Sequence, residues 1–242
     1  MKPLLEVRRI GRSFGALQAV QDVTFSVQPQ ELVGLIGPNG AGKSTLYNLL
    51  AGALPPSSGE LIYQGRSIAG WKPYDAARAG IARTFQIPKP YAQMSVVENL
   101  MLSAMLHQRS VSAARDDAMA VLAEVHLDAY ADKPVGFLST GQLKRMEVGR
   151  ALALKPKLVL FDEIMAGLTP NEINEMTELV KTLPGRGITV IWVEHVLRAI
   201  MSTVDRILVL NHGQLIADGS PEEVVGDSAV IQAYLGEETI DA

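Results

Sequence analysis

The chain has 242 residues, 48% of them hydrophobic and 20% charged, with a formal net charge of −4. This composition excludes a mainly disordered chain and provides enough apolar material for one large domain or two small ones. The absence of cysteine excludes disulfides, thiolate zinc sites and cysteine nucleophiles. The acidic balance argues against a nucleic-acid partner. The longest apolar runs are far shorter than the roughly 18–20 residues of a membrane span, so we expect a soluble, cytoplasmic protein.

The first third of the sequence is typical of short strands. Residues 23–27 (VTFSV) alternate apolar and polar side chains, as a half-buried strand does. Residues 61–68 carry Gln64-Gly65 at their centre, which predicts a hairpin turn. These segments indicate an antiparallel edge near the N-terminus.

The pattern is helical from about residue 96 to about residue 153. Ser95 and Glu98 form a capping-box start for the first of these helices, whereas Met94, Met101 and Met105 suit its core. Two apolar strands follow at 158–161 and 188–193, with a helical stretch between them, and Ser220-Pro221 begins another helix. Apolar strands that alternate with helices indicate a parallel sheet covered on both faces. The predicted fold is therefore α/β, in a single domain 1–242 with a helical segment inserted at 87–153.

A glycine-rich segment follows the apolar strand LVGLI and precedes a helix-like run, 45–51. It matches the phosphate-binding pattern G-x-x-x-x-G-K-[ST] at Gly37, Pro38, Asn39, Gly40, Ala41, Gly42, Lys43 and Ser44. Backbone N–H groups of such a loop surround phosphates, and the following helix adds its positive N-terminal dipole. Lys43 can reach the β- and γ-phosphates, the Ser44 hydroxyl can bind Mg²⁺, and Thr45 completes the predicted nucleotide contacts. The alternative is an ordinary glycine-rich turn.

A second constellation is the acidic pair at the end of the strand LVLF. Asp162 and Glu163 leave the strand at the carboxyl edge of the predicted sheet, where ligands bind in α/β folds. There Asp162 would hold Mg²⁺ through water and Glu163 would polarise an attacking water. Alone, such a pair is more often a helix cap; beside a phosphate loop, the functional interpretation is favoured.

A third segment carries a resemblance to a known family. Ser139, Thr140, Gly141 and Gln142, after Leu138, resemble the LSGGQ signature of ATP-binding cassette (ABC) ATPases, with Thr140 in place of the first glycine. Other elements follow in the family's order from about Leu5 to Gly236. They are Phe14, which would stack on adenine; Gln86, the Q-loop residue that would touch Mg²⁺ and sense a membrane partner; 166–169, the D-loop; and His195, the switch histidine. The resemblance implies a P-loop NTPase core with an N-terminal antiparallel β-subdomain and an inserted α-helical subdomain.

The resemblance also implies a mechanism. In the family two cassettes meet head to tail, and each ATP lies between the phosphate loop of one subunit and the signature of the other. Glu163, His195, Gln86 and Lys43 are then the expected catalytic residues, with Ser44, Gln86 and Asp162 around Mg²⁺. Ile164, Thr169 and Thr140 depart from the usual family pattern.

Three functions compete. One is the energising subunit of a membrane transporter, another is a cassette ATPase that acts on DNA or ribosomes, and the third is a P-loop kinase or GTPase. The third lacks an N-K-x-D motif, and the second usually needs two cassettes or a long coiled-coil insertion, which this chain lacks. Transport is therefore favoured.

The segments 80–86, 96–102, 165–170 and 231–237 are most similar to ATPases of branched-chain amino acid importers. The ATPase of lipopolysaccharide export and importers of urea or other amides remain alternatives. The importer resemblance implies transmembrane permease subunits, a second ATP-binding subunit, identical or different, and indirectly an extracytoplasmic solute-binding protein. It places the chain peripherally on the cytoplasmic face of the inner membrane, with its contact to the permease in the helical segment that begins at 87–91.

Overall fold

The computed structural model describes residues 2–238, whose strands form two sheets. The smaller sheet is antiparallel and has the strand order β2-β1-β4-β5. Its strands are β1 (Leu5–Phe14), β2 (Leu17–Val27), β4 (Ser58–Tyr63) and β5 (Arg66–Ser67). The predicted Gln64-Gly65 turn joins β4 to β5, with φ of 51° and 75°. This sheet confirms the predicted N-terminal antiparallel subdomain.

The larger sheet has six strands in the order β10-β9-β3-β8-β7-β6. They are β3 (Leu32–Ile36), β6 (Ile81–Arg83), β7 (Leu158–Asp162), β8 (Thr189–Val193), β9 (Arg206–Asn211) and β10 (Gln214–Gly219). Neighbouring strands are parallel except β10, which is antiparallel to β9. The parallel order brings the carboxyl ends of β3, β6, β7 and β8 to one edge of the sheet.

Both faces of this sheet are covered. Leu158 and Leu160 of β7 belong to one hydrophobic cluster together with the helix Lys43–Leu50. Val159 and Phe161 belong to a second cluster, together with Trp192 of β8 and the inserted helices. Successive side chains of a strand point to opposite faces, so a strand that supplies both clusters must be apolar throughout. The uninterrupted apolar runs of the sequence have this origin.

The described part of the chain has nine α-helices, of which the last two follow β10. They are α1 (Lys43–Leu50), α2 (Pro73–Ala79), α3 (Val96–Ala104), α4 (Val111–Glu124), α5 (Thr140–Leu152), α6 (Pro170–Thr182), α7 (Leu197–Met201), α8 (Pro221–Gly226) and α9 (Ser228–Glu238). The capping box predicted at Ser95 is present, and the helix start predicted at Ser220 also has a capping box. Two further boxes, at Ser139 and Thr169, begin α5 and α6.

Helices α3, α4 and α5 lie between β6 and β7 in the chain and pack against one another. This arrangement agrees with the inserted α-helical subdomain of the predicted fold; its bounds at 87–153 stay a prediction. Met101 packs against the hydrophobic core, but Met105 is 49% exposed, so its placement in the core was wrong. Met105 lies one residue beyond α3, at its C-cap, and the helical spacing of the sequence does not indicate this end. Among residues 2–238, no helix combines the length and the apolar character that a membrane span needs.

Tyr47 joins α1 to the carboxyl edge of the larger sheet. Its ring is buried, and its hydroxyl contacts the carbonyl oxygens of Thr84 at 2.6 Å and Leu160 at 3.0 Å. The hydroxyl is therefore the donor in these contacts, and burial raises the pKa of Tyr47 above its ordinary value. This contact ties the helix that follows the phosphate loop to the ends of β6 and β7.

We expect Tyr47→Phe to lower the free energy of unfolding by about 1–2 kcal/mol, because the buried carbonyl of Thr84 loses its donor. Urea denaturation measures this change. Tyr74→Phe is the matched control, since Tyr74 is 56% exposed, and it should change stability by less than about 0.5 kcal/mol. Equal stability losses for both variants would contradict this account of Tyr47.

Candidate functional site

The glycine-rich segment 37–42 forms a tight loop between β3 and α1. Gly37, Gly40 and Gly42 have φ of 150°, 74° and 99°, which side-chain-bearing residues rarely adopt. A Cβ on Gly37 would lie 2.1 Å from the carbonyl oxygen of Leu210, and one on Gly42 would lie 2.3 Å from that of Ala19. Glycine is therefore required both by the backbone conformation and by the close approach of two neighbouring strands.

Helix α1 begins directly after this loop, and no described side chain caps its first turn. The first N–H groups of a helix have no partner within the helix, and together with the helix dipole they favour an anion. Lys43 is 6% exposed, and its Nζ donates to the carbonyl oxygens of Gly37 at 2.6 Å and Pro38 at 2.8 Å. The ammonium thus lies inside the curve of the loop, and the arrangement suits a phosphate group.

A cavity of about 670 Å³ opens over the loop. This volume is typical of a nucleotide-sized ligand site. It is lined by Ala16, Leu17, Gln18, Ala19, Gln21, Asn39, Gly40, Ala41, Gly42, Lys43, Ser44, Thr45, Glu163, His195, His212 and Gly213. Among the predicted site residues, those of the loop from Asn39 to Thr45 join Glu163 and His195 around one cavity.

The carboxylate of Glu163, after β7, contacts side chains that follow two other strands, β6 and β8. Its Oε2 accepts from Nε2 of Gln86 at 2.6 Å, and its Oε1 lies 2.9 Å from Nε2 of His195. Gln86 follows β6, Glu163 follows β7 and His195 follows β8, so the parallel order of the strands brings the three together. Glu163 has a φ of 47°, and its N–H donates to the carbonyl oxygen of Val193 at 2.9 Å. The turn that aims this carboxylate is therefore held by β8.

Asp162 ends β7, and its backbone N–H donates to Oγ1 of Thr84 at 3.0 Å. Burial, and secondly the charge of Glu163, raise the pKa of Asp162 to about 6. Both causes disfavour a second negative charge at this place. A cation beside Asp162 would stabilise its ionised carboxylate and lower this pKa. A metal ion would therefore be electrostatically favoured at this position.

Two buried charged residues support this edge and were not predicted from the sequence. Lys144 of α5 is 4% exposed; its Nζ donates to the carbonyl oxygens of Gln86 and, at 2.9 Å, of Glu163. Burial lowers the pKa of Lys144. Glu194 is 2% exposed and accepts from the N–H of Met165 at 2.8 Å and that of His195 at 3.0 Å. The first residue fixes the backbones that carry Gln86 and Glu163, and the second fixes the backbone of His195.

The signature segment 139–142 lies elsewhere. Oγ of Ser139 accepts from the N–H of Gln142 at 3.3 Å, and the Gln142 side chain accepts from the N–H of Ser139 at 2.9 Å, so both cap α5. A Cβ on Gly141 would lie 2.2 Å from Oε1 of Glu172, which places the segment against the start of α6. Thr140 is exposed. None of the four residues lines the cavity over the phosphate loop of the same chain.

Phe14 also lies outside the lining of this cavity. It ends β1, is 46% exposed, and has the guanidinium of Arg12 over its ring at 4.8 Å from the centroid. Its stacking on adenine stays a prediction. The nearby wall of the cavity is formed instead by the turn and first residues of β2, from Ala16 to Ala19.

Comparison with known proteins agrees with this geometry. The family described as "ABC transporter" matches residues 20–166, and the family described as "Branched-chain amino acid ATP-binding cassette transporter" matches residues 214–239. The high-affinity branched-chain amino acid transport ATP-binding protein BraF of Pseudomonas aeruginosa is 36% identical, with 98% of this chain and 99% of BraF covered. The lipopolysaccharide export system ATP-binding protein LptB of Acidithiobacillus ferridurans is 34% identical over the same shares of both chains.

A crystal structure of the ADP conformation of MJ1267, an ATP-binding cassette of an ABC transporter, superposes with a TM-score of 0.87. It is 32% identical in sequence, and the match covers 98% of this chain and 100% of that one. Membership of one family therefore accounts for the phosphate loop, the acidic strand end and the overall fold. The chain belongs to the ABC transporter family, as an ATP-binding subunit that hydrolyses ATP for transport.

Proposed function

We propose that this chain energises the import of branched-chain amino acids, or of related small amino acids or amides, from the cytoplasmic face of the inner membrane. The observation that carries the proposal is the match of residues 214–239 to the branched-chain amino acid family, in addition to the full-length similarity to BraF. The described part of this range contains β10, α8 and α9, which follow the cassette motifs along the chain.

Lipopolysaccharide export is the second candidate function. The similarity of LptB, at 34% identity over nearly the full length of both chains, favours it directly. ABC ATPase sites are built from the same motifs in both systems. The phosphate loop and the acidic edge, which is the end of β7 with Asp162 and Glu163, therefore do not distinguish import from export.

The two candidates differ in the partner that stimulates hydrolysis. The test is ATPase activity of the chain reconstituted in proteoliposomes with permeases encoded beside its gene. Stimulation by a solute-binding protein loaded with leucine, isoleucine or valine supports import. Stimulation by lipopolysaccharide, with no response to the loaded binding protein, overturns it.

The proposal includes a second ATP-binding subunit. The signature segment 139–142 does not line the cavity of its own chain. In the head-to-tail arrangement of the family, a partner subunit, of the same or a different sequence, supplies the facing signature. The permease subunits dock on the start of the helical segment, where Ile87, Tyr91, Leu102 and Met105 are 74%, 52%, 40% and 49% exposed. These exposed apolar side chains are available for contact with the permeases. A solute-binding protein acts indirectly, through the permeases.

The chemical step is attack of water on the γ-phosphorus of ATP, which breaks the bond to the β–γ bridging oxygen and releases ADP and inorganic phosphate. In this proposal Glu163 accepts the proton of that water, and Gln86 and His195 hold its two carboxylate oxygens in place. The loop N–H groups and Lys43 bind the phosphates and stabilise the charge that develops on them. Lys43 then exchanges its two carbonyl acceptors for phosphate oxygens.

The residues at the acidic edge fit Mg²⁺. Ser44, Gln86 and Asp162 offer oxygen donors, and Mg²⁺ is usually held by one or two carboxylates together with water and substrate phosphates. Among the described residues no cluster of three or more His, Cys, Asp or Glu forms a metal site, so phosphates and water would complete the set. The raised pKa of Asp162 is consistent with a place that favours a cation. When bound, the ion would neutralise charge on the phosphates.

The first prediction of this proposal concerns the base. Glu163→Gln keeps the size of the side chain but removes its basicity, so turnover should fall by roughly 10²- to 10⁴-fold with ATP affinity largely retained. Steady-state phosphate release and equilibrium nucleotide binding measure the two effects. Glu222→Gln, at an exposed position on α8, is the control. Asp162→Asn should also weaken Mg²⁺-dependent binding. Hydrolysis at the wild-type rate by Glu163→Gln would disprove the role of Glu163 as the base. His195 would then be tested as the base.

The second prediction concerns assembly. Since the facing signature comes from another subunit, the Glu163→Gln variant should sediment as a monomer or weak dimer alone and as a tighter dimer with ATP. Analytical ultracentrifugation measures the shift. Lys43→Ala, which lacks the ammonium at the β- and γ-phosphates, should show a weaker shift at the same ATP concentration. An absence of any ATP-dependent shift would contradict self-pairing and favour a heterodimer of two different ATPase subunits.

A further inference from the structure

The turn between β9 and β10 enters the wall of the nucleotide cavity. His212 and Gly213 form its tip, with φ of 45° and 78°. Two successive residues with positive φ are typical of a type I′ hairpin turn, in which Asn and Gly are the favoured pair. Both residues line the cavity over the phosphate loop.

Backbone hydrogen bonds hold this tip in place from two sides. The N–H of Gly213 donates to the carbonyl oxygen of Ala41 in the phosphate loop at 2.9 Å, and its carbonyl accepts from the N–H of Gln21 at 2.8 Å. Nε2 of Gln21 also donates to the carbonyl oxygen of His212 at 3.3 Å. A Cβ on Gly213 would lie 2.9 Å from the carbonyl oxygen of Ala19. The tip is thus fixed between the phosphate loop and β2, and the backbone of His212 has a defined position.

The lining of the cavity has three parts. The loop 39–45 supplies the N–H groups and the ammonium that suit phosphates, and Glu163 with His195 forms the part where the proposed γ-phosphate chemistry takes place. The third part consists of residues from the β1–β2 turn and β2 together with the hairpin tip 212–213. Once the first two parts are assigned to the phosphates, the third is left for the nucleoside half of ATP.

We propose that the imidazole of His212 contacts the adenosine half of the bound nucleotide. Apart from His195, His212 supplies the only ring among the described residues that line the cavity, since Phe14 lies outside the lining. The other side chains of the third part are alanines, Leu17 and the amides of Gln18 and Gln21. An imidazole beside them can stack on a base or hydrogen-bond to a ribose hydroxyl, and the fixed tip lets it do so without ordering a loop. The inference rests on the proposed function, because it takes ATP as the ligand.

The test is His212→Asn, which places Asn-Gly, the favoured pair, at a type I′ turn while removing the ring. Isothermal titration of the full chain measures dissociation constants for ATP, ADP and inorganic triphosphate. We expect ATP and ADP to bind roughly 3- to 10-fold more weakly, the loss typical of one hydrogen bond or stacking contact, with triphosphate unchanged. His107→Asn is the control, because His107 is exposed and lies outside the cavity lining.

Unchanged ATP and ADP affinities in His212→Asn would overturn the inference and leave the proposed function intact. An equal loss for inorganic triphosphate would overturn it too, because His212 would then act on the phosphates or on the loop. Failure of the wild-type chain to bind ATP or triphosphate would contradict the proposed function itself. The two failures are therefore distinguishable in one set of titrations.

Discussion

The site depends on the parallel pairing of β6, β7 and β8. Because the three strands run in the same direction, their carboxyl ends meet at one edge and bring Gln86, Glu163 and His195 within hydrogen-bond distance. The residues are separated by 77 and 32 positions along the chain, so no local structure could hold them. The buried groups of Lys144 and Glu194 then fix the backbones on either side of this contact. The chemical roles of Gln86, Glu163 and His195 all require this parallel pairing of the three strands.

Much of this arrangement could be predicted from the sequence, because short-range patterns report short-range structure. The spacing of glycines in 37–42 reflects positive φ angles, and the apolar run before Asp162 reflects a strand buried on both faces. Capping boxes such as that at Ser95 are equally local. These features depend on residues within a few positions of one another, and the structure contains them.

The residues that were missed depend on packing between distant segments. A lysine next to an arginine in a helix is usually solvated, and only the position of α5 against the strand ends buries Lys144. Glu194 precedes the predicted His195, but its role follows from backbone N–H groups that β8 and the loop after β7 bring together. The position of His212 in the cavity wall also depends on distant segments, because Gln21 bonds to its carbonyl oxygen and Ala41 bonds to the neighbouring Gly213. Met105 was misplaced because the helical pattern does not say where the packing of a face ends.

The buried ammonium of Lys144 has a mechanical consequence. The helix that begins with the signature segment also carries Lys144, whose Nζ bonds to the carbonyl oxygens of Gln86 and Glu163. A buried charged donor that loses its acceptors costs several times more than an exposed one. The amino-terminal part of α5 therefore cannot shift away from the acidic edge unless Gln86 and Glu163 move with it. The hydrogen bonds of Lys144 thus connect the surface that carries the signature segment to the surface that carries the phosphate cavity.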